Sequence, residues 1–105
     1  METVRIVLCQ MPLGERLTRR EAAQVRAFRP QFMCFPEYFF VNKRLGNHVQ
    51  TPHNQARQIS RMRIMSRVFD ATVIGGSMPE LARDLLHNTT FVYSRGEELG
   101  FYRKQ

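Results

Sequence analysis

Phe32-Met33-Cys34-Phe35-Pro36-Glu37 decides the architecture: four apolar residues in unbroken series, then a proline and a carboxylate. A strand with one wet face alternates apolar and polar residues. A run without alternation is expected of a strand buried on both faces, as in a parallel sheet covered on either side. Upstream, Val4 to Cys9 has the β-branched and aliphatic bulk of another strand, closed by Pro12 and Gly14. Between the two, Thr18-Arg19-Arg20-Glu21 is a capping box, in which the Thr and Glu side chains each satisfy an orphan amide at a helix start. The helix is expected to run to about Phe28, with Ala22, Val25 and Phe28 or Arg29 on one stripe, and to stop at Pro30.

Downstream, residues 42–53 hold Asn, Gly, Pro and two His and are expected to form a loop. From Asn54 to Phe69 the apolar residues Ala56, Ile59, Met62, Met65 or Ile64, and Phe69 recur at helical spacing. A third strand is expected over Ala71 to Gly75, ending at Gly75-Gly76-Ser77. A fourth covers about Thr89 to Tyr93, and the turn Ser94 to Glu98 leads to a fifth, Leu99 to Tyr102. Strand–helix–strand–helix–strand followed by a hairpin is an α/β pattern. No internal repeat, low-complexity segment or linker interrupts it.

The chain has 105 residues, 43% hydrophobic and 24% charged, which suits one small domain or a piece of a larger one and argues against native disorder. The net charge of +7 is mostly arginine. It raises the question of polyanion binding, but the arginines are strewn from Arg5 to Arg103 without a run of five or six. Neither a nucleic-acid nor a membrane partner is expected. Cys9 and Cys34 sit in apolar stretches without metal-ligand spacing, as buried free thiols of a reducing compartment would. The N-terminal apolar run is too short for a secretory signal or a membrane span. A cytoplasmic location is expected.

Five segments, in order, resemble the nitrilase, or carbon–nitrogen hydrolase, superfamily. They are Val7-Leu8-Cys9-Gln10-Met11-Pro12, Phe35-Pro36-Glu37-Tyr38-Phe39, Val73-Ile74-Gly75-Gly76-Ser77, Asn88-Thr89-Thr90-Phe91-Val92-Tyr93 and Tyr102-Arg103-Lys104-Gln105. Each alone is weak; their collinearity carries the resemblance. It implies the N-terminal part of an αββα sandwich and a Glu–Lys–Cys triad cleaving amides or nitriles through a thioester-type intermediate. On it, Glu37 matches the general base and Lys104 the catalytic lysine, while the nucleophilic cysteine lies beyond residue 105. Residues 1–105 then form a partial carbon–nitrogen hydrolase domain, truncated before that cysteine. The segment between the first strand and Phe35-Pro36-Glu37 is shorter than is common in the family. A small-molecule amide or nitrile substrate, no cofactor and a homo-oligomer at full length are further implications. An N-acyltransferase of the same superfamily is one alternative, and a noncatalytic basic interaction module is another.

The residues bear on these roles by themselves. Glu37 lies between Phe35-Pro36 and Tyr38-Phe39-Phe40, and so apolar a neighbourhood predicts a raised carboxyl pKa. Lys104 is one of two lysines, a compact charge with rotatable donors suited to a developing oxyanion. In the loop after Glu37, Tyr38, Phe39, Asn42 and His48 are candidates for a substrate pocket, by position alone. Neither cysteine is expected to be the nucleophile: Cys34 stands an odd offset before Glu37, and Cys9 has no activating neighbour. His48, His53 and His87 form no metal-ligand spacing, so no metal is expected. Gly75-Gly76-Ser77 lacks the spacing of a phosphate loop and points instead to close backbone approach.

Overall fold

The structure, a computed structural model, describes residues 2–12, 15–37 and 51–104. Its elements are β1 (Ile6–Leu8), α1 (Arg19–Phe28), β2 (Phe32–Cys34), α2 (Pro52–Val68), β3 (Thr72–Ala82), β4 (Leu85–Ser94) and β5 (Glu97–Arg103). The strands make one sheet in the order β1-β2-β3-β4-β5. β1, β2 and β3 are parallel, while β4 and β5 continue antiparallel. Parallel neighbours need a long return path, and α1 and α2 lie in those crossovers. The antiparallel steps use two-residue turns, Arg83-Asp84 and Arg95-Gly96, with positive φ at every central position, as tight hairpins require.

Each helix begins where its side chains can cap it. Thr18 Oγ accepts the Glu21 N–H at 3.1 Å, and Glu21 Oε1 accepts the Thr18 N–H at 2.8 Å. α1 ends on Arg29 in the left-handed conformation, one residue ahead of Pro30. α2 starts two residues earlier than the apolar spacing indicated. Thr51 Oγ accepts the Asn54 N–H at 3.1 Å and Pro52 occupies the first turn, where a missing N–H costs nothing.

Register and burial divide the sheet into two unlike faces. Met33, Val73, Phe91 and Tyr93 point to one side and are buried with Val25 of α1 and Met62 of α2. On the other side, Ile6, Leu8, Phe32 and Tyr102 are exposed, and Ile74 and Val92 are half-buried. β2 is therefore covered on one face only, not on both as its unbroken apolar run suggested. The α2 stripe also differs from its apolar pattern: Gln58, Met62 and Ser66 are buried, while Ala56 and Ile64 are exposed. Ser66 is buried for a polar reason, its Oγ accepting the Gly96 N–H at 2.9 Å and so tying α2 to the β4–β5 turn.

The largest departure concerns β3. It does not end at Gly75-Gly76-Ser77 but runs on to Ala82. The glycines mark a bulge between Ile74 and Ser77, within one continuous strand. Gly76 has φ +66°, and a Cβ there would stand 2.8 Å from the Phe35 carbonyl oxygen and closer still to that of Pro36. Close approach is thus the reason for the glycine, and it seats the segment that carries Glu37.

Candidate active site

Three adjacent strands bring the polar groups together on the open face of the sheet. Pro79 of β3 pairs with Asn88 of β4, and the Lys104 N–H, just past β5, donates to the Asn88 carbonyl at 2.8 Å. Strand alternation does the sorting. Arg103 points to the helix-covered side, so Lys104 points to the open one. Ser77, two residues before Pro79, shares that face. Glu37 arrives from the far end of β2 by way of Phe35, whose N–H donates to the Ile74 carbonyl at 3.0 Å.

Glu37 and Lys104 meet although 67 residues separate them: Nζ lies 3.0 Å from Oε1. Asn88 Nδ2 donates to the same oxygen at 3.2 Å. Both charged side chains are about half exposed, at 53% and 49%, so reagents reach them and solvent screens the pair. Its worth to folding is small on that account. The expectation of a raised Glu37 pKa is overturned. The carboxyl is lowered to about 2, first by the hydrogen bond from Lys104, then by that from Asn88 and by the nearby Ser77 hydroxyl. Phe35 is buried on the core side while the carboxylate faces outward, so sequence neighbours do not desolvate it. The Ser77 hydroxyl favours the charged carboxylate from a buried position in which it completes no hydrogen bond among the described residues.

A second network lies under the first. Glu80, 8% exposed, accepts from Thr89 Oγ1 at 2.7 Å and from Arg103 Nε at 2.8 Å, and its other oxygen accepts from Arg103 Nη2 at 3.1 Å. A forked, charge-assisted contact of this kind fixes direction as well as distance. It joins β3, β4 and β5 at the residues immediately behind the Lys104–Asn88 row. Sequence reasoning did not find Glu80, Ser77 or the Asn88 contact. A signal existed for Asn88, at the head of the fourth segment of the resemblance.

Tyr38, Phe39, Asn42 and His48 lie outside the described residues. Cys9 is buried, and burial first, then Cys34, pushes its thiol up to about 11. That keeps it protonated and inert. Among the described residues no group of three His, Cys, Asp or Glu is placed to hold a metal ion, and no helix is long and apolar enough to cross a membrane. A cleft of about 400 Å³ lined by Arg5, Arg26, Arg29 and Arg95 lies at the opposite pole of the sheet, where the parallel strands begin. It is remote from Glu37.

The architecture is a partial nitrilase-like α/β fold, the one found in amidases and carbon–nitrogen hydrolases of known structure. The chain aligns with the NitN amidase from Nesterenkonia sp. AN1 at a TM-score of 0.71 and 22% identity, covering 97% of this chain and 44% of the amidase. A mutant of the Nesterenkonia AN1 amidase, described as from the nitrilase superfamily, aligns at a TM-score of 0.70 and 22% identity, with 96% and 43% covered. A carbon–nitrogen hydrolase from Helicobacter pylori G27 gives 0.68 at 16% identity, with 96% and 39% covered. The chain thus spans less than half the length of the structures it resembles. In sequence it matches no family model and no curated protein.

Proposed function

We propose that residues 1–105 are the base-and-lysine portion of a carbon–nitrogen hydrolase acting on small non-peptide amides or nitriles, whose cysteine comes from outside this stretch. The observation that carries this reading is the 3.0 Å contact of Glu37 with Lys104, on a fold shared with amidases. One of those amidase structures is described as showing acrylamide added at the active-site cysteine, and another is a complex with butyramide. In this reading the Glu37 carboxylate accepts the thiol proton, and the electron pair left on sulfur attacks the carbonyl or nitrile carbon. Lys104 stabilises the negative charge that develops on the substrate. With an amide, the ammonia or amine leaves with the proton that Glu37 returns, and a water deprotonated by Glu37 releases the acid; with a nitrile the first adduct is a thioimidate, which takes up one water before ammonia leaves and a second to release the acid.

The low Glu37 pKa fits this sequence if Lys104 turns from the carboxylate to the substrate. Its hydrogen bond is the largest cause of the lowering, so losing it raises the base toward the working range as charge builds on the substrate. The exposed apolar face of Ile6, Leu8, Phe32 and Tyr102 suits a second sheet packed against it, and such packing would also dehydrate the pair. The test is Glu37→Gln in the full-length enzyme. Turnover is expected to fall by about 10²–10⁴ or more while the fold is kept. Near wild-type turnover would remove the role assigned to Glu37, and product analysis with water against an added amine separates hydrolysis from acyl transfer.

A further inference from the structure

We infer that Asn88 is the positioning residue of the Glu37–Lys104 pair: its side-chain amide claims one carboxylate oxygen while its main-chain carbonyl fixes the lysine. The inference rests on the proposed function for its catalytic meaning, but its geometry stands alone. Asn88 Nδ2 and Lys104 Nζ both approach Oε1, at 3.2 and 3.0 Å. With two donors, Oε1 is the less basic oxygen. The Asn88 carbonyl meanwhile accepts the Lys104 N–H at 2.8 Å, which sets where the lysine leaves the strand.

One residue therefore orients both partners, and the surroundings leave little else to do so. Lys104, just past β5, is the one charged group acting on Glu37 among the described residues; Ser77 of β3 and Asn88 of β4 contribute neutral groups. Glu80 and Arg103 are spent on each other on the far side of the sheet. The Asn88 Oδ1 is itself buried and has no partner among the described residues. A buried unpaired acceptor is costly, and the Nδ2 contact with Glu37 at the other end of the same side chain works against that cost.

The test needs no catalysis. In the 105-residue chain, the Glu37 carboxyl and the Asn88 side-chain NH₂ are followed by NMR through an acid titration. The Asn88 NH₂ signals are expected to move with the Glu37 midpoint; a flat Asn88 response overturns the inference without any variant. In Asn88→Ala the Glu37 midpoint is expected to rise by about half a pKa unit or more, because a donor to the charged form is gone. The Lys104 amide stays protected, since the main-chain carbonyl remains. An unchanged Glu37 midpoint in a folded Asn88→Ala chain overturns it as well. In the full-length enzyme Asn88→Ala is expected to lower kcat with little change in KM and to move the acid limb of the pH profile upward. Full turnover in Glu37→Gln would sink the catalytic reading and leave the titration result standing, so the two failures are distinguishable.

Discussion

Gly76→Ala is the most informative single change, because one methyl group tests both the bulge and the site that rests on it. Gly76 sits at φ +66°, where an L side chain is strained by about 1–2 kcal/mol. The added Cβ also meets the main chain of Phe35 and Pro36, which no rotamer change can move aside. Overpacking of that sort costs about 1–3 kcal/mol. Together the loss should be about 2–5 kcal/mol, or roughly 10 °C or more in Tm for a domain of this size. Gly100→Ala is the internal control. It has no positive φ and no atom within 4 Å of an added Cβ, so it should be neutral or slightly stabilising. Urea unfolding of both variants, compared at equal m, reads the difference. Equal midpoints for the two would refute the argument that close approach to Pro36 requires the glycine. A folded Gly76→Ala should also lose the Glu37–Lys104 contact, since the strain is relieved by shifting the segment that carries Glu37.

Met62 is fully buried between α2 and the sheet, with its sulfur against Gly75, so Met62→Ala should cost about 2–5 kcal/mol and Met62→Leu less than about 1.5. Denaturation midpoints for the pair check this, and similar losses in both would contradict it. Cys9, with its thiol pushed up to about 11, should resist iodoacetamide at pH 8 in the folded chain and react on denaturation. Mass mapping of the alkylated site decides, and rapid native labelling of Cys9 would be the contrary result. Glu37 is held below its ordinary 4.5, down to about 2, so its stabilising contribution is complete above about 4.5 and fades as pH falls through 2. Glu37→Gln should therefore flatten part of the stability loss between those values and change little at pH 7 beyond a constant offset; identical acid profiles would argue against the pairing.

Periodicity and turn chemistry carried much of the fold. The capping box at Thr18 and Glu21, the proline after α1 and the short turn before β5 are local signals, and local signals survive in a single sequence. What failed was non-local. The apolar run at Phe32 says that both sides of β2 are apolar, and cannot say which side has a covering layer. Gly75-Gly76 looks like a strand end because glycine weakens strands, but the partner that makes it a bulge, Pro36, lies 40 residues earlier. Glu37 was legible as a carboxylate of interest through the resemblance, yet its electrostatics were misread. Sequence neighbours proved to be poor proxies for spatial ones once the backbone turned Phe35 inward and the carboxylate outward.

Arg103 and Lys104 show what the alternation of a strand accomplishes here. Two adjacent cations leave the same backbone on opposite sides of the sheet. Arg103 meets a buried carboxylate, Glu80, through a two-pronged contact that also engages Thr89, and so holds the ends of three strands in register. Lys104 meets an exposed carboxylate through a single contact, at 3.0 Å, with half its surface in water. The first arrangement resists motion, because breaking it strands Glu80 in a dry setting. The second permits motion, because water can replace Glu37 as the partner of the ammonium at little cost. Rigidity below and freedom above are what a lysine needs if it is to trade a resting carboxylate for a charge appearing on a substrate. The Glu80–Arg103 contact thereby bears on the site without facing it: it would keep the backbone still if the side chain at 104 changed partners as proposed.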